Sequence, residues 1–282
     1  MTESVNRRKG ETACGSIKLA VRHGYAMRKI KNIILDIVII VCLVTLGFSA
    51  YKLYKMYEEY SKAEKEYSQL SGRVVKHKTP GIKKEDEKED EGDECPISID
   101  FDELKKINPD VIGWIYCEDT VINYPVLQGK DNDKYLHHTM EGQYNSSGSI
   151  FMDAYNKKDL TDFNTVLYGH HMKNGSMFAS LKKYSGQDYY EEHPVMWYLT
   201  PEKNYKLTVF SGFVEKPDSE IYGVFRKRAE LDKYLDKARE KNTFTPDEEV
   251  EKIPNEKIKR IMVLSTCDYT FNNARYVLVC IY

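Results

Sequence analysis

Three residues of this 282-residue chain have the types and settings that nucleophilic acyl transfer requires: Cys267, His170 and Arg275. Cys267 closes an apolar run at the point where "STCD" turns polar, so its thiol can reach solvent instead of the core. A cysteine nucleophile needs a proton-transfer partner, distant in sequence and adjacent in space. His170 fits, because "NTVLYGHHMKNGSMF" places it just past a strand and just after Gly169. Its neighbour His171 points the other way if the strand alternation persists, as a supporting residue. Arg275, eight positions beyond the cysteine, carries a charge that never titrates and can offer two donors at once to a developing oxyanion.

The other histidines fit less well. His23 lies in the N-terminal tail, His77 in a stalk region, His193 in a surface turn, and His137 and His138 in a predicted helix without a glycine-bounded strand end to present them. Zinc binding by the two His-His pairs is not expected, since no H-E-x-x-H spacing occurs and no acidic ligand is in register. No other metal and no cofactor is called for. The six cysteines (14, 42, 95, 117, 267, 280) form no C-x-x-C pair. Those at 95, 117, 267 and 280 are able to form two disulfides, but a fold of this size does not need them.

Eight segments rich in β-branched and aromatic residues can position these groups: 111–117, 121–127, 149–153, 164–169, 195–199, 205–214, 260–266 and 275–281. They suggest a barrel or sandwich, mostly β with added helices (α+β). Helical patterns occupy 98–108, 131–140, 176–184 and 228–242.

Upstream, residues 33–50 contain one charge, Asp36, and as a helix span roughly 27 Å against a hydrocarbon core of about 30 Å. Arg7, Arg8, Lys9, Lys18, Arg22, Arg28, Lys29 and Lys31 precede this segment, whereas Lys52 and Lys55 after it mix with Glu58 and Glu59. The bias predicts a single-pass membrane protein with a cytoplasmic N-terminus and the remainder outside the cell. A cleaved signal peptide fits less well, because the arm before the core is long and Phe48 spoils a small-x-small site.

Leu53, Met56, Tyr60, Ala63, Tyr67 and Leu70 form a helical stripe. With fewer than three heptads, it predicts a juxtamembrane stalk rather than a coiled coil between two copies. Residues 83–94, almost wholly charged, predict a solvated tether. The expected division is therefore 1–32 cytoplasmic, 33–50 membrane, 51–96 stalk and acidic linker, and 97–282 catalytic. A net charge of −2 gives no reason to expect nucleic acid as a partner.

The segments "LYGHHMKNGSMF" and "LSTC", with the arginine eight positions past the cysteine, resemble the signature of sortases, the membrane-anchored transpeptidases of Gram-positive bacteria. "INYPVLQGKDNDKYL", "GSIFMD" and the long helix between the sixth and seventh strands resemble class B in particular, and the likeness runs from about residue 98 to the C-terminus. It implies an eight-stranded sortase β-barrel with an added N-terminal helical segment, Cys267 as nucleophile, His170 as general acid and base, and Arg275 as oxyanion and substrate stabiliser. It further implies surface proteins bearing a C-terminal sorting signal as substrates, cut after a threonine, and an amine of the peptidoglycan precursor lipid II as acceptor. By position, Asn132, Leu136, Ile221, Tyr222 and Ser265 would line the motif-binding groove. No class A type calcium loop is evident. The remaining alternatives are a tethered cysteine protease that ends its thioester with water, a pilin-polymerising sortase, and a surface module in which the three residues only pack.

Overall fold

The computed structural model describes residues 3–78, 94–216, 223–268, 270 and 272–282. Contacts divide the chain into two compact units, 1–58 and 59–282. In the first unit, helix α1 (Glu3–Val74) begins, and it carries the one stretch among the described residues long and apolar enough to cross a membrane. Ile34, Leu35, Ile40, Leu43, Leu46 and Phe48 are all exposed there, as side chains meant for lipid would be.

The second unit holds the last turns of α1, strand β1 (Val75–His77), strand β2 (Ile97–Ile99), helix α2 (Phe101–Ile107) and a barrel. The barrel strands are β3 (Val111–Tyr116), β4 (Asn123–Leu127), β5 (Ile150–Met152), β6 (Asn164–Tyr168), β7 (Val195–Leu199), β8 (Asn204–Glu215), β9 (Ile261–Cys267) and β10 (Arg275–Ile281). They close in the order β10-β8-β7-β3-β4-β5-β6-β9. Only the β4–β5 and β6–β9 pairs are parallel. Closure decides between the two architectures the strand count allowed. Helices α3 (Gln187–Glu192), α4 (Arg228–Lys241) and α5 (Glu248–Glu251) complete the unit.

Alternation along the strands sorts side chains into two layers. Leu167, Met262, Leu264, Tyr276, Leu278 and Cys280 fill the barrel interior with Trp114, Tyr198 and Leu207. Val166, Ile261, Val263, Val277 and Val279 face outward and are covered by Leu231, Tyr234, Leu235 and Ala238 of α4.

Two of the four expected helices form as α-helices, near 98–108 and 228–242. The other two are tighter. Only Lys134–Leu136 coils within 131–140, as a 3₁₀ turn, because the Asp131 carboxylate accepts from the Asp133 and Lys134 amides and closes the backbone early. The segment at 176–184 becomes a 3₁₀ helix over Ala179–Ser185.

The stripe on α1 ends differently from a free stalk. Ala63, Tyr67, Leu70 and Val74 are buried against the barrel, β1 pairs with β2, and the compact unit that holds the barrel begins at Glu59, inside the stretch 51–96 expected to be stalk and linker. Helical periodicity shows that a face is covered, and here the cover is the chain's own barrel. Leu53, ahead of the unit, is exposed. Most of the acidic segment 83–94 lies outside the described residues. Among the described cysteines none is bridged.

Candidate active site

Cys267 ends β9 and Arg275 opens β10, and the antiparallel register sets the two directly opposite each other. Directly opposed residues share a face of a sheet, and their parity with Val263 and Val277 places both on the outer one. On the other side of β9 runs β6, in parallel register, with Tyr168 beside Ser265. The Gly169 amide carries the ladder on by donating to the Ser265 carbonyl at 3.1 Å. β6 ends at Tyr168, and His170 follows two residues later, beyond the last pair of that ladder. Cys267 thus stands opposite Arg275 at the end of β9 toward which the chain after β6 carries His170.

Position 169 has no room for a side chain, because β5 and the Phe178 ring lie against it. A Cβ there would run into Ile150 and the Phe178 ring.

Cys267 is partly exposed, and so are His170 and Arg275. The His170 Nε2 lies 2.7 Å from the Leu136 carbonyl oxygen. A carbonyl only accepts, so Nε2 carries the proton and Nδ1 of the neutral ring keeps the lone pair. Burial pushes this imidazole below its ordinary value of 6.5, the Leu136 carbonyl pulls back in part, and the nearby His137 and Arg275 push the same way as burial. The guanidinium of Arg275 is tied through Nη1 to the Asn273 and Ala274 carbonyls, each at 3.1 Å. Those two bonds engage one nitrogen of a group with five N–H donors.

His171 makes a different contact from His170. Its Nδ1 bonds the Cys267 backbone carbonyl at 2.8 Å and so fixes the end of β9. Beyond it, Asp268 is buried and meets the Lys182 ammonium at 2.7 Å. Burial works to raise its carboxyl, but Lys182 and the hydroxyl and amide of Thr270 prevail and hold it below 3.8. This pair pins the start of the loop that joins Cys267 to Arg275, which the Asp268 amide also ties to the Ala274 carbonyl.

Of the residues placed by position in a motif-binding groove, three lie among the described ones. Asn132 bonds the Asp153 carboxylate and the Ala154 amide, and Tyr168 donates to that same carboxylate at 2.8 Å. Asn132 therefore holds the loop after β5. Leu136 is half-buried, and its backbone carbonyl holds His170. Ser265 is only 2% exposed, beneath the site and not lining an open groove. Ile221 and Tyr222 lie outside the described residues.

His137 is the neighbour that the sequence reading passed over. Because the 3₁₀ turn stops at Leu136, His137 falls at its end with its ring 6.4 Å from that of His170, and Tyr144 stacks on its far side at 6.0 Å. The turn-forming run "EGQYNSSG" that follows was a sign that no regular helix continues there. Among the described residues no group of three or more His, Cys, Asp or Glu is placed to hold a metal ion.

The sortase domain model matches residues 115–281. Sortase B of Listeria monocytogenes serovar 1/2a (strain ATCC BAA-679 / EGD-e) is 38% identical over 169 residues, which are 59% of this chain and 66% of that protein. Sortase B of Staphylococcus aureus (strain NCTC 8325 / PS 47) is 38% identical over 183 residues, 64% of this chain and 72% of that protein. The solved structure of Clostridium perfringens sortase B superposes with a TM-score of 0.60 at 37% identity, covering 64% of this chain and 98% of that one. A matched stretch that takes in β9 and β10, which carry Cys267 and Arg275, and β6 with His170 just beyond it, settles the kinship: the chain belongs to the sortase family of cysteine transpeptidases, in its class B.

Proposed function

We propose that this enzyme cuts a C-terminal sorting motif of surface proteins after a threonine and joins the new carboxyl end to an amine of the cell-wall precursor lipid II. The Cys267 sulfur, as thiolate, attacks the threonine carbonyl carbon. A C–S bond forms, and the carbonyl oxygen takes up the negative charge. Arg275, directly across the ladder, is the donor suited to that charge in two-pronged fashion. As the C–N bond breaks, imidazolium His170 gives the proton on Nδ1 to the leaving amine, while Nε2 stays on the Leu136 carbonyl. The acceptor amine then attacks the thioester, its proton passes to Nδ1, and the thiolate is released.

Residues 1–32 are proposed to lie in the cytoplasm, 33–50 to span the membrane, and the barrel to stand outside. The observation that carries the reading is the register that sets Cys267 opposite Arg275, with the parallel β6–β9 ladder ending at Tyr168, two residues before His170. Full-length enzyme in detergent, mixed with a library of sorting peptides and then with an amine, tests it by mass spectrometry. A threonyl adduct on Cys267 that the amine removes to give an amide supports the reading. An adduct lost only to water, with amine in excess, overturns it in favour of a protease.

A further inference from the structure

His170 is held by a chain of contacts that begins on α1. The Tyr67 hydroxyl, buried on the face of α1 that meets the barrel, donates to the Gly148 carbonyl at 2.8 Å and lies 3.0 Å from the Ser149 hydroxyl. Ser149 in turn donates to the His138 carbonyl at 2.8 Å, and its amide bonds the Tyr135 carbonyl at 2.9 Å. Gly148 sits in the left-handed region at φ +54°, and a Cβ there would stand 2.6 Å from the carbonyl oxygens of both Tyr135 and Leu136. Its bare Cα is therefore pressed onto the carbonyl that receives the His170 Nε2. Two more bonds from α1 grip the same loop: the Glu66 carboxylate accepts from the Glu141 amide, and the Glu59 carbonyl accepts from the Asn145 side chain, each at 3.0 Å.

From this path we infer that Tyr67 is a positioning residue for catalysis: through Gly148 it fixes the Leu136 carbonyl against His170, so that the helix bearing it forms part of the active-site scaffold. The inference rests on the catalytic role proposed for His170, and it adds a device that role alone does not require. Without the tether, the 135–149 loop has room to draw away from the imidazole, and Nε2 loses the acceptor that fixes its tautomer and aims Nδ1 at the thiol. Burial pushes the Tyr67 phenol up, so its proton is present at every working pH and the device is constant, not a switch. The groups that act on His170 itself are the Leu136 carbonyl, His137 and Arg275.

The test uses the full chain in micelles, with histidine ring carbons labelled for NMR. Tyr67→Phe removes one oxygen and keeps the ring that packs edge-on against Tyr124. The His170 midpoint is expected to fall, because the carbonyl that favours its protonated form is loosened. kcat is expected to drop about tenfold with the KM for the sorting peptide unchanged, as for a small misplacement of a reacting group. Ser71→Ala is the control: it removes the hydroxyl that Asn123 donates to, loosening α1 from β4 with no route to His170. It is expected to lower the melting temperature and leave the His170 midpoint unmoved. Should Tyr67→Phe fail to fold, Ser149→Ala carries the same readout through the His138 and Tyr67 contacts. A midpoint and kcat equal to wild type, or shifts no different from those of Ser71→Ala, overturn the inference. If His170→Gln keeps full turnover, the catalytic proposal falls, while the NMR midpoint still reports whether Tyr67 positions the ring.

Discussion

Arg275 faces Cys267 across the β9–β10 ladder as its direct partner, so backbone register sets the two residues opposite each other. Arg275→Lys keeps the charge but replaces a planar fork with a point donor. Loss of one oxyanion donor costs about 10²–10³ in kcat, and a loss of that order is expected here. Single-turnover acylation should slow in proportion, with the circular dichroism spectrum unchanged. Acylation at the wild-type rate would remove Arg275 from the oxyanion role.

Cys267→Ala is expected to abolish the peptide adduct while leaving the barrel folded. The residue is partly exposed at a strand end, so truncation there opens no core cavity, and stability should stay within about 1 kcal/mol of wild type. Intact-mass spectrometry and a thermal melt read both halves of this expectation together.

His170 is expected to titrate below 6.5, and His137→Gln to raise its midpoint, because the variant removes a neighbouring like charge that pushes the imidazole down. The sign is diagnostic. A fall would mean that His137 acts on His170 by packing or hydrogen bonding instead of charge.

Asp268→Asn tests the Lys182 clamp through pH. With the folded-state value held below 3.8, the carboxylate stabilises fully above that figure, and its contribution is lost as pH falls through the lower folded value. The melting temperature of the variant should therefore lie below wild type at pH 7, and the gap should close in acid. A gap that widens in acid would assign Lys182 a different partner.

Leu70→Ala tests whether α1 belongs to the barrel's core. Leu70 is buried, and truncating such a residue costs about 2–5 kcal/mol, or about 2–4 °C in melting temperature for each kcal/mol. Leu53→Ala, on the exposed stretch of the same helix, should leave the melt of the barrel unchanged.

How much of this was legible in the residues follows from what each pattern encodes. All eight barrel strands could be read because β-branched and aromatic runs record burial on a pleated surface, and Cys267 and His170 announced themselves by standing where such runs end. The stripe of Tyr60, Ala63, Tyr67 and Leu70 was read as a stalk and was plain as a periodic apolar face. Its partner was not, since period fixes which side of a helix is covered and says nothing about by what. His137 was lost for a different reason: a helix at 131–140 seemed to carry it away, and one aspartate's backbone bonds were enough to shorten that helix to a single turn. Ser265 looked available two residues before the nucleophile, but its depth is decided by the strands on either side, which local sequence does not reveal.

Cys267 and Arg275 meet across a hairpin with only seven residues between them, whereas the strand that brings His170 pairs from almost a hundred residues away. Local pairings form early and distant parallel ones late, because the entropy of closing the long loop must be met first. A chain part-way through folding therefore owns a sulfur and a cation but lacks its proton carrier. On the mechanism proposed above, the proton carrier joins the thiol only when the β6–β9 seam closes.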